Sequence, residues 1–66
     1  MNKEKPTREQ MQKFEDIRYS GVTNMFDVNT VIALSGGLLT REVCYYIMSD
    51  NNYNDCMEEY GIVRRN

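Results

Sequence analysis

Helix-stopping and helix-starting residues alternate so densely along this chain that no segment between them can be long. Gly21, Gly36 with Gly37, and Gly61 close segments, while Thr7, Asp27, Thr40 and the run Asp50-Asn51-Asn52 open them. Inside each segment apolar residues recur at three- and four-residue spacing, the period of an amphipathic helix. The pattern predicts an all-α fold, a compact small domain of three to four short helices spanning 1–66, with flexible ends at 1–6 and 62–66. At 66 residues such a chain buries only about 60% of the surface its unfolded form exposes, so self-association into a homo-oligomer is expected to supplement the core.

The first helix is announced by Pro6 and by Thr7-Arg8-Glu9-Gln10, a capping box. Met11, Phe14 and Ile17 then repeat every third residue, with Arg18 and Tyr19 close to that face and Lys13, Glu15 and Asp16 assigned to solvent. Gly21 ends this helix. Either Asn24 or Asp27 can cap the second one, and Asp27 fits better because Val28, Val31, Ile32 and Ser35 then share a face and Phe26 can staple against Val31. Thr40 caps a third helix over 41–48, with Leu39 placed to staple against Cys44, and Val43, Cys44, Ile47 and Met48 form adjacent apolar rows. Tyr45 and Tyr46 cannot both point inward from it. In the fourth helix Tyr53, Cys56, Met57 and Tyr60 fall at i, i+3, i+4 and i+7. The alternative for 22–26 is a short extended segment paired with Ile62 and Val63.

Composition narrows the chemistry. The chain has no histidine and two cysteines, Cys44 and Cys56, both among apolar or aromatic neighbours. That removes the commonest general base and metal ligand, and leaves no partner to activate a thiol. No enzymatic activity, no metal and no cofactor are therefore expected. With no signal-peptide pattern at its start, the chain is read as cytoplasmic, with both thiols reduced. The longest apolar run, from Val31, is broken by Ser35, Gly36 and Gly37, well short of the roughly 20 residues of a membrane helix. A net charge of −2 offers no general attraction to nucleic acid or to an anionic bilayer.

Three short motifs imitate functional ones. Asp50, Asn52 and Asn54 resemble the start of a calcium loop, but Asp55 stands where glycine is needed and Gly61 where the bidentate glutamate is needed. Ser35-Gly36-Gly37 lacks the surroundings of a phosphate loop. The helix–glycine–helix run from Asp27 to Met48 resembles a helix-turn-helix, yet its second helix offers Arg41 as its only cation beside Glu42. What remains is surface: five tyrosines, two phenylalanines and five methionines exceed what so small a core comfortably hides, and such residues make adaptable contact patches. Tyr45, Tyr46, Tyr53 and Tyr60 are the candidates for such a patch; finishing the core is their alternative role.

The segment IRYSGVTNMFDVNTVIALS, Ile17 to Ser35, resembles a motif of small uncharacterised proteins encoded by phages and prophages of Gram-positive bacteria. In them an I-R-x-S/T-G-x-T-N-M-F-D-x-N-x-V string follows an amphipathic helix, and Ile17, Arg18, Gly21, Thr23, Asn24, Met25, Phe26, Asp27, Asn29 and Val31 fit it. The match covers under half the chain and stops after Ser35. It implies a viral or prophage origin and a bacterial host cytoplasm, and it supplies no reaction. Within the motif, Thr23, Asn24 and Asp27 are read as satisfying exposed amides while Met25 and Phe26 lock the turn to the first helix; the rival is a polar recognition surface of Asn24, Asp27 and Asn29.

The expected function is that of a non-enzymatic accessory protein that binds a host bacterial protein and inhibits its defence or regulatory activity. A nucleotide-sequestering oligomer would instead gather Arg18, Arg41 or Arg64 in one cleft. A helix-turn-helix regulator would expose Arg41 to DNA.

Overall fold

Among the described residues, three of the four helices begin where a side-chain oxygen accepts from an orphan amide. The Thr7 hydroxyl accepts from the Gln10 amide and the Gln10 Oε1 accepts in turn from the Thr7 amide, which opens α1, Arg8–Ser20. Asp27 accepts from the Thr30 amide and hydroxyl, opening α2, Val28–Leu34. Thr40 accepts from the Val43 amide, opening α3, Arg41–Met48. α4, Asn52–Glu59, starts without a side-chain cap, although the Asn52 amide group donates to the Tyr46 carbonyl and ties the α3–α4 turn together. This computed structural model describes residues 4–64. Among them there is no strand, so the extended pairing of 22–26 with Ile62 and Val63 does not form.

The helix ends are set by backbone geometry. After α4, Gly61 turns left-handed at φ 67°, its amide donates to the Glu58 carbonyl, and the Ile62 amide donates to that of Met57 at 2.9 Å. This is a Schellman motif, and it carries Ile62 back onto the core, where it is 8% exposed beside Met57. A Cβ at Gly61 would meet no atom within 4 Å, so Gly61→Ala is limited to the left-handed backbone cost of about 1 kcal/mol. The expected readout is a fall of about 4–8 °C in the thermal midpoint by circular dichroism.

One core draws on every helix: Met11, Phe14 and Ile17 from α1, Val28 and Val31 from α2, Val43, Cys44 and Ile47 from α3, and Cys56 and Met57 from α4. Leu39, from the α2–α3 connection, and Ile62 complete it. The dimensions are 29 × 25 × 19 Å.

Three expectations are corrected. The stretch 4–6 is held rather than frayed: Pro6 is buried, its carbonyl accepts from the Tyr60 hydroxyl at 2.6 Å, and Lys5 pairs with Glu59 at 2.7 Å. Ile62 likewise departs from the expected flexible end, whereas residues 1–3 and 65–66 lie outside the described residues. Phe26 does not staple onto Val31; it is 82% exposed, because the Asn24 side chain accepts from its amide and the Asn24 carbonyl from that of Asp27, a tight turn that aims the ring outward. Glu15, assigned to solvent, is fully buried.

Candidate functional site

Glu15 lies four residues after Met11 and directly follows Phe14, so helical spacing carries its carboxylate into the core stripe. A buried carboxylate persists only when its charge is met, and here Arg18 supplies two bonds, Nε at 2.8 Å and Nη2 at 2.7 Å. The Tyr53 hydroxyl donates to the same carboxylate from α4. The Arg18 guanidinium, raised above its ordinary range by that hydrogen bonding to Glu15, also stands 5.9 Å from the Tyr53 ring centre, and Arg64 stands over that ring at 5.7 Å. Burial first, and then the hydrogen bond to Glu15, push the Tyr53 phenol above its ordinary value. Tyr53 is thereby fixed at both ends, by its hydroxyl and by a tilted contact with Phe14 at 6.4 Å.

That fixed tyrosine forms one wall of an open groove of about 240 Å³, lined by Phe14, Met25, Phe26, Ile47, Met48, Asp50 and Tyr53. The α1–α2 connection contributes Met25, which packs on the core, and the outward Phe26 at the rim. The α3–α4 turn contributes Asp50, whose backbone is left-handed at φ 49°, a conformation that Asp tolerates better than most residues. Among the described residues that line the groove Asp50 is the one that carries a charge, and Arg18 and Arg64, which lie near the Tyr53 ring, are not part of that lining. A larger depression of about 490 Å³ runs beside α1, but Arg8, Glu9, Lys13 and Asp16 make most of its wall, the composition of an ordinary solvated helix face. Large, soft apolar side chains around a preformed hollow are what a partner's side chain needs, so the smaller groove is the candidate site.

No family profile, curated protein or solved structure matches this chain.

Of the sequence-derived candidates, Tyr53 lies in the groove. Tyr60 stands two turns further along α4, about 10 Å away by helical rise, bound to Pro6 and 5.8 Å from the Lys5 ammonium. Tyr45 and Tyr46 are both half-buried against the core, so neither is fully turned outward. Tyr46 and Tyr60 both neighbour the Lys5 ammonium. Asn24 and Asp27 each spend side-chain oxygens on local amides, and Asn29 accepts from Arg41 Nη2 at 2.6 Å, linking the starts of α2 and α3. Phe14, Met25, Phe26, Ile47, Met48 and Asp50 were not among the candidate residues. The methionine and aromatic excess was the available signal, and only the packing assigns it to positions.

Both cysteines are free and buried, 1% and 2% exposed. Burial pushes each thiol up, opposed by the charge of Arg41 at Cys44 and of Lys5 at Cys56. Thiolate is the reactive form. Iodoacetamide at pH 8 is expected to leave both thiols unlabelled in the native protein and to label both within the same time in denaturant, read by intact mass. Rapid native labelling of either would contradict this packing.

Among the described residues no three histidine, cysteine, aspartate or glutamate side chains gather closely enough to hold a metal ion. No helix there is long and apolar enough to cross a membrane.

Proposed function

We propose that this chain is a non-enzymatic, phage-encoded accessory protein that acts by binding a host bacterial protein in the cytoplasm and inhibiting its defence or regulatory activity. The observation that carries the binding role is Phe26, an aromatic ring 82% exposed at the mouth of an apolar groove. Burying such a ring in a partner gains about 1.5–3 kcal/mol, and methionines beside it adapt to whatever shape arrives. The viral setting rests on the resemblance of residues 17–35, and a chain of this size suits an inhibitor that works through one interface.

A second reading has a specific observation behind it. A nucleotide-sequestering oligomer would use converging cations, and Arg18 and Arg64 do converge on the Tyr53 ring. Arg18 is already neutralised by Glu15 and Arg41 is engaged with Asn29, which makes this the weaker account. The same Asn29 bond counts against Arg41 as a DNA-reading side chain.

The test is native mass spectrometry of the tagged chain isolated gently from a bacterial host, with wild type and Phe26→Ala side by side. Phe26→Ala removes an exposed ring, so its stability should change by less than about 0.5 kcal/mol. The expected result is a stoichiometric host protein on the wild type, absent from Phe26→Ala, whose purified activity the wild-type chain inhibits. A bare chain, or one retaining a nucleotide, would overturn the reading.

A further inference from the structure

The groove also says what kind of side chains it receives. Its lining is apolar except for one carboxylate, Asp50, exposed at the rim. Of the neighbouring cations, Arg18 is paired with Glu15, and Arg64 stands over the Tyr53 ring and is not among the residues lining the groove. A segment entering this hollow buries large apolar side chains against Phe14, Ile47 and Met48 and brings its flanking residue against Asp50. A flanking cation is attracted there, whereas a flanking carboxylate is repelled with no cation in the lining to compensate. From this charge complementarity we propose that the groove receives an amphipathic protein segment in which a pair of large apolar side chains is flanked by lysine or arginine. The inference rests on the groove being the binding surface and adds the chemistry of its occupant.

Two groups of features prepare the site for such a segment. Tyr53 is held by Glu15 and Phe14, so one wall is rigid before binding and little ordering is left to be done there. Met25 and Met48 on other walls are unbranched and adjust to side chains of different shape. Helical segments present apolar pairs at i and i+3 or i+4, which suits a short groove that seats two anchors.

The experiment titrates two synthetic amphipathic peptides into the ¹⁵N-labelled chain. They are identical except that a Leu-x-x-Phe pair is followed by lysine in one and by glutamate in the other. The lysine peptide is expected to bind about fivefold more tightly, with shifts concentrated at Met25, Phe26, Met48, Asp50 and Tyr53. In Asp50→Asn, which suits the same left-handed backbone, that preference should fall to near unity, while Phe26→Ala should weaken both peptides. Equal affinities, with both peptides lost in Phe26→Ala, would overturn the charge preference and leave the groove reading standing. Failure of both peptides to move groove resonances would overturn the charge preference and the groove reading together. Self-association abolished by Phe26→Ala, with no peptide bound, would assign the groove to a second copy and overturn the inference.

Discussion

Arg18→Met is expected to lower the thermal midpoint by more than about 10 °C. Glu15 is fully shielded from water while the Arg18 side chain keeps 26% of its exposure. The substitution therefore leaves the shielded partner behind, stripped of two charge-assisted bonds and of the guanidinium beside the Tyr53 ring. Breaking a buried pair in this way costs about 3–5 kcal/mol, and the solvated end of Arg18 puts the value near the lower bound, about 3 kcal/mol. A core of this size supplies about 3–5 kcal/mol in total, so the variant should keep only about 0–2 kcal/mol and show a measurable unfolded population at room temperature. Combining it with Glu15→Leu removes the stranded charge and should recover much of the loss. The cycle is read by urea denaturation, and a single Arg18→Met variant as stable as wild type would mean that water reaches the Glu15 carboxylate.

Leu39→Ala should be nearly as damaging, although Leu39 belongs to no helix. Its side chain is 1% exposed within the core cluster, and its amide donates to the Ser35 hydroxyl at 3.0 Å, which fixes the connection between α2 and α3. Truncation removes three buried carbons where the backbone is anchored and cannot collapse fully, so a loss of about 3 kcal/mol follows. The measurement is the urea midpoint at unchanged slope. A loss below about 1 kcal/mol would show that the connection moves in to fill the space.

Local signals in this chain were read correctly because they act within a few residues. Thr7 with Gln10, Asp27 and Thr40 each satisfy an amide three positions on, and the glycines that end α1, α2 and α4 do so through their own backbone. Where the outcome depends on distant partners, the sequence misleads. Glu15 reads as solvated because an acid is almost never fully buried unless paired, and Tyr53 stands 38 residues away. Its place in the stripe Met11, Phe14, Glu15, Arg18 was nonetheless visible as helical spacing. Phe26 fails in the opposite sense: the hydrophobic staple predicts a buried ring, while the turn made by Asn24 overrides it. The groove was the least legible part, since it draws on the middle of α1, two connections, the end of α3 and the start of α4, which no local pattern joins.

The contacts of Pro6 and Lys5 with Tyr60 and Glu59 span 54 positions of sequence. During synthesis the first helix leaves the ribosome long before the residues that fasten its leading segment have been made. Packing at that edge can begin only after α4 has emerged, so the completed domain is gained in a late step rather than helix by helix. The same proximity makes the molecule close to a ring. A short linker from the end of α4 to the start of α1, with new ends opened at the exposed Gly36 and Gly37, would keep every helix intact while changing the order in which they are born.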